Sequence, residues 1–207
     1  MKHGWFITFE GPDGSGKTTI STNVYQQLKT EGFDVIYTRE PGGSEIAEKI
    51  RDIILDPKNT AMDEKTEALL YAASRRQHLI EKILPALKEN KIVICDRFVD
   101  SSLAYQGVGR GLGIENVLAI NEFAIEGLYP DLTIFLDIDP IKGLTRIADR
   151  HYRDRLDQEQ DHFHLQVSLG YEMLKKRFKD RYAIVDADRQ VHEIVDEAVA
   201  IIKQRIK

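Results

Sequence analysis

No disulfide can form within this chain, because Cys95 is its one cysteine. A lone thiol fits a reducing compartment, and its position in the apolar run Ile92-Val93-Ile94-Cys95 reads as a buried structural group without chemistry of its own. Nowhere does the chain hold the roughly 18 consecutive apolar residues that a membrane span needs, and Glu10 arrives too early for a secretory leader. The expectation is a cytoplasmic protein with no membrane partner. A basic surplus is missing as well. The 29 Lys and Arg are outnumbered by 34 Asp and Glu, for a formal net charge of −5, which argues against nucleic acid as a partner. Any anionic ligand must then be met by local clusters of arginine, whereas Arg177, Arg181 and Arg205 read as solvated surface. There is no H-E-x-x-H and no pair of cysteines, and His162 and His164 are two apart on an expected helix, so they face different ways. Repeats and low-complexity linkers are also absent, and 207 residues of ordinary globular composition imply a single domain over 1–207.

What the chain does have is Gly11-Pro12-Asp13-Gly14-Ser15-Gly16-Lys17-Thr18, which fits G-x-x-x-x-G-K-[ST] directly after the apolar run Trp5-Phe6-Ile7-Thr8-Phe9. Glycines at those positions let successive backbone N–H groups curl into a concave anion nest. The helix expected from Lys17 adds the positive end of its dipole at the mouth. Lys17 reaches the β- and γ-phosphates of a nucleotide, and the Thr18 hydroxyl is placed for a Mg²⁺ ion between them, with Thr19 following. Ile92 to Cys95 then runs into Asp96-Arg97, an acidic residue at the end of a buried strand, the pattern of a metal-facing carboxylate.

Strands and helices alternate along the rest of the chain. Lys17 to Thr30 is an amphipathic helix and Phe33 to Tyr37 a strand. Ser44 to Leu55 is a helix with Ser44 as its N-cap, and a longer helix from Asp63 carries apolar residues on more than one face until Pro85 kinks or ends it. A face that wide implies burial on two sides, one of them against a second copy of the chain. The glycine-rich stretch from Asp100 to Gly113 reads as a mobile loop. Helices follow at Ile114 to Gly127, from Ile141, from Asp157 to Lys179 and from Val191 to Ile206, with strands at Leu132 to Leu136 and Tyr182 to Val185. The pattern is that of a three-layer α/β fold with a five-stranded parallel sheet. Nucleotide binding follows from these residues; the acceptor of the γ-phosphoryl group does not. A GTP-binding switch lacks its N-K-x-D here, a P-loop ATPase is poorly supported at this length, and a small-molecule kinase needs a second anion site, for which Arg39, Arg51 and Arg97 are candidates.

Four stretches together carry a resemblance: Phe9 to Thr19, Thr38-Arg39-Glu40-Pro41-Gly42-Gly43, Asp96-Arg97-Phe98, and Asp100-Ser101-Ser102-Leu103-Ala104-Tyr105-Gln106-Gly107. In order and spacing they are similar to the bacterial thymidylate kinases, along nearly the whole chain. The resemblance implies a P-loop nucleoside monophosphate kinase fold with a helical lid at about 146–158, a homodimer, and phosphorylation of dTMP to dTDP with Mg²⁺ and ATP on the route to dTTP. Kinases for another nucleoside monophosphate or for a deoxynucleoside remain the alternatives.

Residue by residue, the resemblance gives ATP the loop from Gly11 through Thr19 together with Arg146, and gives the metal Thr18 and Asp96. Asp13 accepts from the 3′-hydroxyl of the acceptor sugar, Arg39 and Arg97 hold its phosphate, and Arg51 lies near the same pocket. Tyr71 stacks on the pyrimidine, Arg75 and Gln106 bond its edge, Ser102 sits beside them and Tyr105 lies against the deoxyribose. The family divides by whether a catalytic arginine sits in the P-loop or in the lid. This loop offers Gly14-Ser15, while Arg150, Arg153 and Arg155 lie in the lid, and Arg150 and Arg155 match the family pattern better than Arg153. Asp186-Ala187-Asp188-Arg189 resembles the loop that lines the adenine. The expected chemistry accounts for one absence, since no carboxylate base is needed when the nucleophile is a phosphate monoester whose second pKa is near 6.

Overall fold

The structure is a computed structural model and describes residues 4–148 and 154–207. Its centre is a sheet of five parallel strands: β1 (Trp5–Glu10), β2 (Val35–Arg39), β3 (Ile92–Asp96), β4 (Leu132–Asp137) and β5 (Tyr182–Asp186), in the order β2-β3-β1-β4-β5. β1 and β3 run side by side, with Phe9 opposite Asp96, while the connection after β1 leads towards β2 and the one after β3 leads towards β4. Connections that leave in opposite directions open a crevice at the strands' carboxyl ends, which is where open α/β sheets bind ligands. The glycine-rich loop and Asp96 meet there.

Alternation along the strands divides the core in two. Ile7 and Phe9 of β1, with Ile92, Ile94, Ile134 and Leu136, pack against α1 (Lys17–Thr30) and α9 (Val191–Arg205) through Ile20, Val24, Leu28, Ile194, Ala198 and Ile202. Phe6, Val93, Cys95 and Phe135 face the opposite layer, which contains α3 (Glu64–His78), α6 (Ile114–Ile125) and α8 (Asp161–Arg177). Cys95 is buried there, and burial raises its thiol pKa well above the ordinary value.

Four expectations change. The helix from Asp63 does not stop at Pro85: α3 widens into a π turn over Leu79–Ile83 and runs on as α4 (Leu84–Lys88). The wider turn gives the proline ring the room that a regular α-turn denies it. Nor is the glycine-rich stretch a loop. Val99–Ser102 forms α5, which continues as a π-helical segment over Leu103–Gly109 whose first five residues are buried. The glycines there serve close packing, because α8 crosses so near that a Cβ on Gly170 would lie 3.0 Å from Ala104 Cα and one on Gly109 would lie 2.8 Å from the Phe163 ring. Ser44 stands at the N-cap of α2 (Glu45–Leu55), yet its hydroxyl makes no capping bond. Arg181 is not solvated surface: it grips the buried Asp100 through two bonds of 2.6 Å and bonds Thr133 Oγ1 at 2.6 Å.

Candidate active site

A cavity of about 300 Å³ opens at the crevice, lined by Asp13, Gly14 and Gly16 to Thr19 of the P-loop, by Arg39 and Arg51, by Tyr71 and Arg75, and by Asp96, Arg97, Ser102, Tyr105 and Gln106. Its size falls at the lower end of the range for small-molecule sites. At one end, Gly16 takes a left-handed conformation, with φ of 83°, as the cap of α1. Lys17 then folds back to donate to the Pro12 carbonyl at 2.8 Å and to Ser15 Oγ at 3.3 Å. Burial, and then the nearby Arg97 charge, lower the Lys17 pKa to about 7. Thr18 Oγ1 donates to Asp96 Oδ2 at 2.5 Å, and Asp96 Oδ1 is buried without a hydrogen-bond partner among the described residues. A buried carboxylate oxygen with a lone pair to spare, beside a threonine hydroxyl, is the hard-oxygen donor set that Mg²⁺ takes.

Arg97 follows at the end of β3 with φ of 69°, in the left-handed region, which turns its guanidinium back over the loop. There it pairs with Asp13, donates to Tyr105 OH at 3.1 Å and to Tyr171 OH at 3.3 Å, and reaches the Gly11 carbonyl at 3.4 Å. Burial alone would raise the Asp13 pKa, but Arg97 and Lys17 beside it hold the carboxyl well below the usual carboxylate range. Tyr105 OH also donates to Asp13, at 2.7 Å. Underneath, the buried Glu10 accepts from Phe98 N–H at 2.7 Å, from Ser101 Oγ at 2.7 Å and from Tyr171 OH at 2.9 Å, fixing the turn that carries Arg97. Burial, with Asp100 nearby, raises Glu10 to about 7.

The other end is built on the inner face of α3, where Glu67, Tyr71, Ser74, Arg75 and His78 are buried at helical spacing. Arg75, only 2% exposed, donates Nε–H to Glu40 Oε2 at 2.7 Å, Nη1 to Ser102 Oγ at 3.0 Å and to Asn121 Oδ1, and Nη2 to the Phe98 carbonyl at 3.0 Å. A guanidinium has five N–H donors, so one, on Nη2, is left without an acceptor among the described residues. Gln106 Nε2 donates to Glu67 Oε1 at 2.7 Å, and Gln106 Oε1 receives no hydrogen bond among the described residues. Both side chains line the cavity.

Not every residue singled out in the sequence joins this constellation. Arg39 and Arg51 line the cavity, and both donate to the Pro41 carbonyl, at 3.3 and 2.8 Å. Arg146, on α7 (Pro140–Ala148), reaches the Gly14 carbonyl at 3.3 Å and pairs with Asp188. Arg155 is turned away from the P-loop: it is buried, donating to the Ile54 carbonyl at 2.8 Å and to Glu67 Oε2 at 2.6 Å. Arg150 and Arg153 lie outside the described residues. Sequence reading gave no role of their own to Glu10, Glu40, Glu67, Asn121 and Tyr171. A trace of them was present in the four-residue spacing of Glu67, Tyr71 and Arg75, a polar stripe inside a segment otherwise read by its leucines.

Comparison with known proteins gives the chain's family and fold. Residues 9–198 match the family model described as thymidylate kinase. A thymidylate kinase of Geobacillus sp. (strain WCH70) is 56% identical over 206 residues, 99% of this chain and 98% of the relative. One from Finegoldia magna is 57% identical over 200 residues, covering 97% and 98%. The crystal structure of thymidylate kinase from Ehrlichia chaffeensis superposes with a TM-score of 0.79 at 32% identity, over 97% of this chain and 99% of that one. With sheet order, P-loop and the polar stripe of α3 all in place, the chain belongs to the thymidylate kinase family.

Proposed function

We propose that this chain transfers the γ-phosphoryl group of ATP to the 5′-phosphate of dTMP, giving ADP and dTDP. The observation that carries the proposal is the opposite end of the cavity from the P-loop, lined by Arg75, Gln106 and Tyr71, where Arg75 keeps one donor and Gln106 one acceptor without a partner among the described residues. Thymine presents a 4-oxo acceptor beside an N3–H donor, and this pair of protein groups complements it. Cytosine presents a donor and an acceptor in the reverse order.

At the other end, Lys17 and the loop N–H groups hold the donor phosphates, with Arg146 and the Asp188 loop towards the adenine. Thr18 and Asp96 would hold Mg²⁺, which neutralises charge on the β- and γ-phosphates. Arg97 and Arg39 take the acceptor phosphate. Asp13 accepts from the sugar 3′-hydroxyl, and the Tyr105 ring, held edge-on between Phe163 and Tyr171, leaves little room for a 2′-hydroxyl. Transfer needs no general base, because the acceptor phosphate is already a dianion at neutral pH. Rate then depends on holding two polyanions in line and on spreading the developing charge over Lys17, Arg97 and Arg150 of the lid at about 146–158. Arg155 braces that lid against Glu67 and the end of α2.

The protein works as one cytoplasmic domain and as a homodimer. α2, α3 and α6 pack side by side and, with the π turn after α3, leave Ile53, Leu69, Ile80 and Phe123 uncovered, Leu69 at 55% and Phe123 at 89% exposure. Replacing Phe123 by Asp should convert a dimer into a monomer in sedimentation equilibrium. A wild-type protein that sediments at 23.7 kDa at micromolar concentration would end this part of the reading. The reaction itself is tested by ADP release over a panel of nucleoside monophosphates and thymidine. The order dTMP, dUMP, then dCMP near background is expected, and turnover of thymidine without dTMP would select a deoxynucleoside kinase instead.

A further inference from the structure

Glu67 touches no part of the cavity surface, yet four donors from three side chains converge on it. Oε1 accepts from Gln106 Nε2 at 2.7 Å and from Arg110 Nε at 3.4 Å, while Oε2 accepts from Arg110 Nη2 at 3.1 Å and from Arg155 Nη2 at 2.6 Å. The side chain is fully buried. Arg110 is itself held from outside by Glu159 at 2.6 Å and by the Phe163 ring, whose centroid is 4.5 Å from its guanidinium carbon. An arginine donates only and a carboxylate held between two arginines accepts only, so the group that fills the remaining place on Oε1 must be a donor.

That condition settles a question a glutamine otherwise leaves open. The two ends of a side-chain amide have the same shape, and which end faces a ligand is decided by whatever partners fix it. With its nitrogen towards Glu67 the amide satisfies both groups, whereas its oxygen towards Glu67 would set two acceptors 2.7 Å apart. Gln106 Oε1 is therefore presented to the cavity. We infer that Glu67 is a specificity-positioning residue: without touching the base, it fixes the Gln106 amide so that the site offers an acceptor at the pyrimidine N3 position and so selects bases that carry N3–H. The inference rests on the reading of the cavity as the dTMP site. The same carboxylate holds Arg155, so the group that fixes base recognition also fixes the lid-side chain segment.

The test compares kcat/KM for dTMP, dUMP and dCMP in the wild type and in Glu67→Gln. Glutamine at 67 can donate or accept towards Gln106, so the amide is free to turn and offer nitrogen to N3 of cytosine. The expected result is a fall with dTMP and dUMP and a narrowing of the dTMP-to-dCMP ratio by about tenfold or more, about 1.4 kcal/mol. A loss of activity that is equal for all three nucleotides would overturn the inference, since a merely structural role weakens every substrate alike. A wild type without preference for dTMP over dCMP would instead remove the dTMP reading itself. Should Glu67→Gln fail to fold, neutron diffraction from the wild-type protein with dTMP decides the matter: deuterons on the Gln106 nitrogen facing Glu67 support the inference, and an amide nitrogen facing the base overturns it.

Discussion

The two ends of the cavity are both rich in charge but are held in opposite ways. At the phosphate end, each functional group has a neighbour that a ligand must replace: Lys17 rests on the Pro12 carbonyl, Thr18 on Asp96 and Arg97 on Asp13. At the base end, the partners are permanent. Arg75 is pinned by Glu40, Ser102, Asn121 and the Phe98 carbonyl, and Gln106 by Glu67, all buried. The first arrangement suits groups that must shift as charge moves from donor to acceptor. The second suits recognition, where a fixed donor and acceptor discriminate by leaving the wrong base unpaired.

Four measurements break or sharpen this contrast. The largest effect is expected at the phosphate end, where Lys17→Ala and Arg150→Ala should each lower kcat by about 10³ to 10⁵-fold while dTMP binding and the melting temperature change little. Arg155→Ala should behave differently although it lies only five positions from Arg150, because it takes away one of the two arginines that pair with the buried Glu67 and leaves Arg110 as the other. Chemical denaturation should reveal a stability loss of about 1.5–3 kcal/mol, that of a buried charge-assisted hydrogen bond, with a smaller effect on kcat in the folded fraction. If the two arginine variants prove alike in both respects, the distinction between the ends fails.

Next in size is the comparison of dUMP with dTMP. A missing 5-methyl group leaves the donor and acceptor pairing intact and forfeits apolar contact alone, so kcat/KM should drop by about 10 to 200-fold. A larger drop would mean that the base end reads the methyl group and not chiefly the polar edge.

The smallest effect is in pH. With a pKa of about 7, Lys17 loses its proton as pH rises past neutrality, and bound polyphosphate draws one back. ATP affinity should therefore weaken by up to about tenfold per pH unit above 7, with proton uptake measurable by calorimetry in buffers of different ionisation enthalpy. Unfolding cannot imitate this trend. A lysine whose folded pKa lies below its ordinary 10.5 is protonated more readily in the unfolded chain, so its contribution to stability increases as pH rises from about 7 towards 10.5. Affinity that is flat from pH 7 to 9 would show that the Lys17 charge is retained throughout.

How much of this was readable from residues alone follows the same division. The P-loop, Asp96 and the parallel sheet depend on local spacing, and the sequence displays local spacing directly. The polar stripe of α3 does not announce itself. The apolar pattern of that segment covers more than one face: Leu79, Ile83 and Leu87 are buried and Leu69 and Ile80 exposed, but nothing in it signals that Glu67, Ser74, Arg75 and His78 face inward. A buried charge is tolerated only when partners distant in sequence converge on it, and Glu67 with Arg155, or Arg181 with Asp100, are 88 and 81 positions apart. Gly109 misled for a related reason: glycine signals freedom when read alone, whereas here the crossing helix α8 uses the missing side chain.

Gly14 carries a consequence of another kind, in how such enzymes could diverge. Its φ is 79°, and a Cβ placed on it would lie 2.2 Å from the carbonyl oxygen of Gly143 on α7. A residue with a side chain at that point needs an unfavourable backbone and a displaced helix. An arginine therefore cannot migrate from lid to P-loop in this lineage by one substitution at Gly14. A descendant that acquires one there must first reposition α7, the helix that carries Arg146.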